Sequence, residues 1–161
     1  MWIIILWLNM KNSKKIFWAK PSIKEEEISA ITKVAKSNWM TQGSVTQQLE
    51  KNLCKKFNVK NAVVTNNGTS SLICALLAHG IKPGDEVLVP SFTFVSTVNS
   101  ILSIGAKPVL VDSNSRTFNT EIKFLKQKMS KKTRAIMPVD VSGMPVDISE
   151  MIEFADKNNL I

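Results

Sequence analysis

Residues 86–111 have the sequence EVLVPSFTFVSTVNSILSIGAKPVLV, and the fold is decided in this stretch. Two short apolar runs, Glu86–Val89 and Pro108–Val111, are predicted as buried strands. Between them, residues 95–104 are predicted as a helix that ends at Gly105, because glycine is common just past a helix. Parallel strands are joined by a crossover of this kind, so the stretch predicts a strand–helix–strand unit of a parallel sheet.

The same alternation continues on both sides of this unit. Upstream, residues 62–65 are predicted as a strand, followed by a helix that ends at Gly80. Downstream, residues 135–139 are predicted as another strand, and a helix begins at Asp147 with the apolar stripe Ile148, Met151, Ile152 and Ala155. This order predicts an α/β fold with a mainly parallel sheet and helices on both of its faces. Leu160–Ile161 stand where a fifth strand is expected to begin, which predicts a truncated sheet.

The chain is predicted to consist of three segments. Residues 1–15 are expected to lie outside the fold, because their apolar start is too short to span a bilayer and lysines follow it where a signal peptide carries small residues. Residues 16–60 are predicted to hold two helices, over 24–37 and 47–57, with a loop between them. Residues 61–161 hold the alternating strands and helices.

The basic character of the chain is concentrated in its first third. The net charge is +8, and residues 1–60 contain eleven lysines against four acidic residues. The lysines are scattered, which favours solvated helix faces over a nucleic-acid surface. Cys54 and Cys74 form no C-x-x-C pattern and His79 is the only histidine, so neither a metal site nor a disulfide framework is predicted. We expect a cytoplasmic protein with no nucleic-acid partner and no membrane partner.

The first candidate binding site is the run Asn67-Gly68-Thr69-Ser70, between a predicted strand and its helix. Ligands of open parallel sheets bind beyond the carboxyl ends of the strands, and a helix start offers free N–H groups to a phosphate. Gly68 allows the backbone to approach closely, and the hydroxyl groups of Thr69 and Ser70 can donate to phosphate oxygens. Serine and threonine are also common helix caps, so a plain cap is the alternative interpretation.

The second candidate is the segment Pro90–Phe94, which follows the next predicted strand. An aromatic side chain here could stack on a flat heteroaromatic ligand beside the phosphate site, whereas core packing is the alternative. One of Phe92 and Phe94 could pack while the other faces the ligand. Asp112 and Asp140 also follow strands, where they could serve a site or cap turns. The sequence has no nucleophile elbow, Walker-type loop or dinucleotide fingerprint after a strand.

Five stretches together resemble the DegT/DnrJ/StrS family of sugar aminotransferases, and the resemblance runs from about Phe17 to Ile161. In order they are WMTQG (39–43), NGT (67–69), GDEVLVPSFTF (84–94), GAKPVLVD (105–112) and PVDVSGMPVD (138–147). The resemblance implies the three-layer large domain of the aspartate-aminotransferase fold, known as fold-type I, present here in part. It also implies a homodimer and pyridoxal phosphate as the cofactor.

The resemblance assigns roles to two sets of residues. Those expected to bind the cofactor are Gly68, Thr69, Ser70 and Phe94, the first three at its phosphate and the last against its pyridine ring. Those expected near the sugar nucleotide, at the dimer interface, are Met40, Thr41 and Gln42. The chain departs from many relatives at Asp140, where they have His, and at Ser142, where they have an aromatic residue.

The resemblance also implies two groups that the sequence does not contain. One is an Asp that pairs with the pyridine nitrogen, and the other is the Lys that forms the Schiff base; both are expected beyond residue 161, so no catalytic residue is assigned. Lys82 and Lys107 lie at the amino ends of predicted strands, on the wrong edge to replace that Lys.

The expected function is therefore that of a fragment. The complete enzyme would transfer an amino group from an amino acid such as glutamate to a keto-sugar nucleotide, and this chain alone would be inactive. One alternative is a fragment of a sugar dehydratase of the same family, in which His replaces the Schiff-base Lys. The other is the non-catalytic half of a split enzyme, acting as a phosphate-binding or interaction module.

Overall fold

The computed structural model describes Phe17 and residues 19–161. The predicted extra segment, residues 1–15, lies outside the described residues. The chain divides into two compact units with the boundary between Ala62 and Val63. No helix among the described residues is both long enough and apolar enough to cross a membrane.

The first unit contains two helices, α1 (Glu25–Lys36) and α2 (Ser44–Phe57). Three glutamates stand in the first turn of α1, where negative charge is favourable, and the Glu27 side chain accepts a hydrogen bond of 2.7 Å from the backbone N–H of Lys24. Helix α2 ends at Asn58, whose backbone takes the left-handed conformation (φ 52°) that asparagine tolerates well. Both helices were predicted, and α2 begins three residues earlier than expected.

The second unit alternates strands and helices around one small sheet. Its elements, in chain order, are α3 (Gly68–Ala78), β1 (Glu86–Pro90), α4 (Val95–Ser103), β2 (Lys107–Val111), α5 (Ile122–Lys128), β3 (Thr133–Ile136), a 3-10 turn (Val141–Gly143) and α6 (Ile148–Lys157). The strand order is β2-β1-β3, and both pairings are parallel. Each strand is therefore separated from the next by a helix, as parallel pairing requires.

The central strand β1 supplies side chains to two hydrophobic cores, one on each face of the sheet. Val87 and Val89 pack on one face, in a cluster with Leu76 of α3 and Ile101 of α4. Leu88 points to the other face, where its cluster includes α5 and α6 through the residues Ile122, Leu125, Met151 and Phe154. Because successive side chains of a strand alternate between faces, this one strand binds both helical layers. The predicted α/β architecture with helices on both faces is confirmed.

Helices α3 and α4 end in the same way. Gly80 and Gly105 both have positive φ (75° and 76°), and each follows its helix as the predicted terminating glycine. After α3, Gly80 N–H donates to the Leu77 carbonyl and Ile81 N–H to the Leu76 carbonyl, at 2.9 and 3.0 Å. This pair of bonds is a Schellman motif, and it recurs after α4.

Three local predictions need correction. Residues 62–65 are not a strand of the sheet, which among the described residues consists of β2, β1 and β3. The strand predicted over 135–139 is Thr133–Ile136; the pattern missed its polar start, and Pro138 has no N–H to continue the ladder.

The apolar stripe predicted for α6 is wrong in part. Met151 is buried, but Ile148 and Ile152 are about half exposed, and Phe154 is buried in their place. Met151 and Phe154 lie three residues apart, so they share the face that packs on the sheet. At the expected fifth strand, Ile161 exchanges two backbone hydrogen bonds with β3, to Arg134 (2.9 Å) and from Ile136 (2.8 Å).

Candidate functional site

The candidate cofactor residues lie at the carboxyl edge of the sheet. Helix α4 follows the carboxyl end of β1 directly, so Phe94, which precedes the helix, lies at that edge. Helix α3 is joined to the amino end of β1 by the turn Gly80–Asp85 and therefore begins near the opposite end of the strand. An eleven-residue helix and a five-residue strand are both about 16 Å long, so the first turn of α3 reaches the carboxyl edge too.

The first turn of α3 is organised by Asn67. Its side-chain Oδ1 accepts a hydrogen bond of 2.9 Å from the backbone N–H of Ser70, which makes Asn67 the helix cap. Thr65 Oγ1 donates to the Asn67 carbonyl (2.8 Å) and lies 2.6 Å from Ser71 Oγ, so the loop before the helix is fastened to its first turn. Neither Thr69 nor Ser70 supplies the cap through its side chain.

This capping pattern leaves donors available at the helix start. Within the described part of the chain, the N–H groups of Gly68 and Thr69 and the hydroxyl groups of Thr69 and Ser70 have no hydrogen-bond partner. A Cβ added at Gly68 would meet no atom within 4 Å, so the space above the backbone is open. Four donors at the positive end of a helix, with open space above them, can bind an anion such as a phosphate.

The two aromatic residues after β1 have different environments. Phe94 is 76% exposed, the more open of the two, and its backbone (φ −69°, ψ 139°) is extended just before α4. Phe92 instead packs on Phe118, with ring centroids 5.0 Å apart and ring planes tilted by 32°. The side chain with room to stack on a ligand is thus Phe94, whereas Phe92 is engaged with the loop after β2.

Asp112 and Asp140, the two acidic residues that follow strands, both act within their own turns. Asp112 Oδ1 accepts from the N–H of Ser113 (2.8 Å), and Asp140 Oδ1 accepts from the N–H of Val146 (2.9 Å). Of the two uses considered for them, the turn is the one that the contacts support. Among the described residues no cluster of His, Cys, Asp and Glu could hold a metal ion.

The opposite, amino edge of the sheet carries a buried carboxylate. Glu86 accepts hydrogen bonds from Ser130 Oγ (2.5 Å) and from Lys107 Nζ (2.9 Å), and its side chain is 8% exposed. The pKa of the Glu86 carboxyl is lowered below its ordinary value, most strongly by the hydrogen bond from Ser130 and next by the hydrogen bond from Lys107. The Lys107 side chain is therefore paired at the amino edge, away from α3 and Phe94. This agrees with the prediction that Lys107 lies on the wrong edge of the sheet to replace the Schiff-base Lys.

In the first unit, the predicted substrate residues lie in the loop between α1 and α2. Met40 lines a cavity of about 250 Å³ together with neighbours that include Trp39 and Gly43, while Thr41 and Gln42 are exposed and do not line it. The Trp39 ring lies against Gly43, because a Cβ added there would come within 2.6 Å of Trp39 Cδ1. Gln42 has a positive φ of 47°.

Sequence reasoning missed three residues at the carboxyl edge. Asn67 was overlooked as the cap, although asparagine is one of the strongest capping residues. Phe118 and Asn119 were not singled out from the sequence, yet Phe118 packs on Phe92 and Asn119 is buried. No periodic pattern marks a single aromatic or amide residue in a loop, so these two contacts could not be predicted.

The chain matches the DegT/DnrJ/EryC1/StrS aminotransferase family over residues 21–161. It is similar to the structure of an aminotransferase from Psychrobacter cryohalolentis, with 33% identity, a TM-score of 0.84, and coverage of 90% of this chain and 37% of that chain. It is also similar to the PLP-form of Spr1654 from Streptococcus pneumoniae, which is named as a candidate sugar aminotransferase. The identity is 32%, the TM-score is 0.84, and the match covers 90% of this chain and 37% of that chain.

The NtdA structure from Bacillus subtilis with bound cofactor PMP gives 30% identity, a TM-score of 0.81, and coverage of 86% of this chain and 33% of that chain. The chain thus spans about a third of the length of these structures.

Proposed function

The chain belongs to the DegT/DnrJ/EryC1/StrS aminotransferase family, and from this membership we propose that it is part of a sugar aminotransferase and carries half of the cofactor site. The cofactor is pyridoxal phosphate, the group present in the PLP- and PMP-forms of similar structures. The proposed reaction of the whole enzyme transfers an amino group from an amino acid to a keto-sugar nucleotide.

The observation that carries the proposal is the open first turn of α3. Asn67 caps the helix through the Ser70 N–H and leaves the Thr69 and Ser70 hydroxyl groups free to donate to the three acceptor oxygens of a phosphate. The N–H groups of Gly68 and Thr69 add two donors in the same turn. When bound, pyridoxal phosphate supplies an electron sink for amino-group transfer, and this chain's contribution is to fix its phosphate.

Phe94 is proposed to cover the pyridine ring. It is the most exposed of the three phenylalanines at this edge, Phe92, Phe94 and Phe118, and a flat ring is the natural contact of a flat heteroaromatic group. In the first unit, Met40, Thr41 and Gln42 are proposed to contact the sugar nucleotide, supported by the cavity beside Met40. The proposed assembly of the whole enzyme is a homodimer in the cytoplasm.

We expect this chain to show no transaminase activity by itself. The resemblance places the Asp that pairs with the pyridine nitrogen and the Lys that anchors the cofactor in another part of the enzyme, and Lys107 is held by Glu86 at the other edge of the sheet. The measurement is amino transfer from glutamate to a keto-sugar nucleotide by the purified chain with added pyridoxal phosphate. Turnover without a second chain would contradict the expectation.

The phosphate site is tested by titrating the chain with pyridoxal phosphate and following binding by calorimetry. Replacing the free hydroxyl in Ser70→Ala removes a hydrogen bond to a charged group, so the affinity is expected to fall roughly tenfold. Ser103→Ala is the matched control, because Ser103 lies at the far end of α4 and bonds only the Asn99 carbonyl, at 2.7 Å. Equal affinities of the Ser70→Ala and Ser103→Ala variants would refute the phosphate site.

A further inference from the structure

The loop between β2 and α5 contacts the two loops that follow the neighbouring strands β1 and β3. Its Phe118 packs on Phe92, which follows β1, and its Asn119 bonds the turn that follows β3. Strands β2 and β3 are each neighbours of β1 and not of one another. The loop therefore connects segments that the sheet itself keeps apart.

Phe118 has a backbone conformation that a bulky residue rarely adopts. Its φ is 61°, in the left-handed region, which is unfavourable for a residue other than glycine. The loop holds it there through Asn114: the Phe118 N–H donates to the Asn114 carbonyl (2.8 Å), and the Asn114 N–H donates to the Asn119 carbonyl (2.9 Å). The Asn114 side chain also bonds Glu121, at the start of α5.

Asn119, the next residue, is turned the other way and is 5% exposed. Its Nδ2 donates to the Met144 carbonyl (2.8 Å), and its Oδ1 accepts from the Val141 N–H (3.1 Å). Both ends of the amide are thus used on the turn after β3. Two consecutive side chains, those of Phe118 and Asn119, thus contact two different loops.

We propose that Phe118 is a positioning residue for the pyridine end of the cofactor site: its ring fixes Phe92, and Phe92 fixes the short segment that carries Phe94. Phe92 and Phe94 are separated by one residue, Thr93, whose hydroxyl lies 2.8 Å from Thr97 Oγ1 in α4. The segment is therefore held at the helix by Thr93 and at the loop by Phe92. This inference rests on the proposed function, because it concerns the orientation of the residue assigned to the ring.

The position of Phe118 makes a specific claim about which part of the cofactor it affects. The phosphate donors belong to α3 and are organised by Asn67, whose hydrogen bonds within the described part of the chain go to Thr65, Ser70 and Ser71 and not to the loop after β2. Loss of the Phe118 ring should therefore weaken the binding of pyridoxal phosphate, which uses the ring contact, and leave the binding of inorganic phosphate unchanged. A residue that only stabilised the fold would weaken both.

The test compares Phe118→Leu with the wild-type chain in titrations with pyridoxal phosphate and with inorganic phosphate. An aromatic pair contributes about 0.5–1.5 kcal/mol, so we expect a twofold to tenfold loss of affinity for pyridoxal phosphate and a change of less than about twofold for phosphate. The induced circular dichroism of the bound pyridine band should fall as well, and Phe118→Tyr should restore both signals. Phe124→Leu is the control, because Phe124, a residue of α5, packs on the core and, among the described residues, its ring is not paired with Phe92.

A second variant keeps the test decisive if Phe118→Leu folds poorly. Phe92→Leu removes the other ring of the pair and should give the same selective loss, and the double variant should lose no more than either single one. Unchanged affinity for pyridoxal phosphate in both single variants overturns the inference, as does an equal loss for the two ligands. If the wild-type chain binds neither ligand, the proposed function fails and the inference fails with it; the other outcomes all occur with wild-type binding intact.

Discussion

Glu86 is the residue on which the amino edge of the sheet depends most directly. It begins the central strand, and its carboxylate joins β1 to Lys107 of β2 and to Ser130 in the loop before β3. A carboxylate this well buried must be satisfied by hydrogen bonds, and here both oxygens are used. The three amino ends of the sheet are thus joined through a single side chain.

This arrangement predicts a pH dependence of stability. Hydrogen bonds from Ser130 and Lys107 lower the Glu86 pKa in the folded state, so its stabilisation is complete above the ordinary glutamate range and is lost as pH falls through the lower folded value. Glu86→Gln should cost about 1 kcal/mol near pH 7, and the difference from wild type should shrink as the pH falls below the ordinary glutamate range, as measured by urea unfolding.

The matched variant for this experiment is Glu153→Gln. Glu153 pairs with Lys157 at 2.6 Å, but both side chains are exposed, so its removal should change stability much less. If the difference in free energy of unfolding between wild type and Glu86→Gln does not change with pH, the Glu86 charge is not the source of the stabilisation.

Among the elements, helices α3 and α4 each end at a glycine, and a glycine can be required for two reasons. One is a left-handed backbone conformation, and the other is the lack of space for a side chain. Gly80 and Gly105 end these helices with nearly the same φ, so the backbone demand is equal at both. Their surroundings differ: an added Cβ meets nothing within 4 Å at Gly80, whereas at Gly105 it would lie 3.0 Å from Pro83 Cγ. The second glycine therefore also provides room for the turn before β1.

Alanine substitution should reveal this difference. Gly80→Ala is expected to cost about 1 kcal/mol for the left-handed conformation alone, and Gly105→Ala should cost more because the methyl group crowds Pro83. Urea unfolding of both variants measures the two costs. The excess should decrease when Pro83→Ala is combined with Gly105→Ala, because this change removes the Cγ at 3.0 Å and keeps the Cβ at 3.3 Å. Equal costs for the two single variants would contradict the crowding.

The elements also show how far the sequence could lead. Strands β1 and β2 and the terminating glycines were predicted because buried apolar runs and glycine both have local physical causes. The start of β3 was missed because Thr133 is buried but polar, and the strand predicted at residues 62–65 failed because pairing depends on partners that propensity cannot reveal.

At the candidate site, too, features with a local cause in the sequence were predicted, whereas contacts between distant segments were not. The Gly68–Ser70 run was recognised because helix starts have a local chemistry, and the family resemblance drawn from five stretches is confirmed. The roles of Gly68, Thr69, Ser70 and Phe94 stay predictions. Phe118 and Asn119 were out of reach, since their contacts join loops that are distant in sequence.

In the molecule as a whole, burial is distributed very unevenly. All five residues of β1 are buried, and Val87, Leu88 and Val89 have no exposed surface. Helices α1 and α2 have no buried residue among those described. The difference arises because β1 is covered by a strand on each edge and by helices on each face of the sheet.

This shielding of β1 has a consequence for amide hydrogen exchange. The amide protons of Val87, Leu88 and Val89 can reach deuterium only when the whole second unit opens, whereas those of α1 and α2 can exchange through local fraying. Mass spectrometry in heavy water should find the slowest exchange in a peptide spanning β1. When Glu86→Gln is introduced, the protection of this peptide should fall by the same amount as the global free energy of unfolding. Three amides in the middle of one short strand would then report the stability of the second unit without any denaturant.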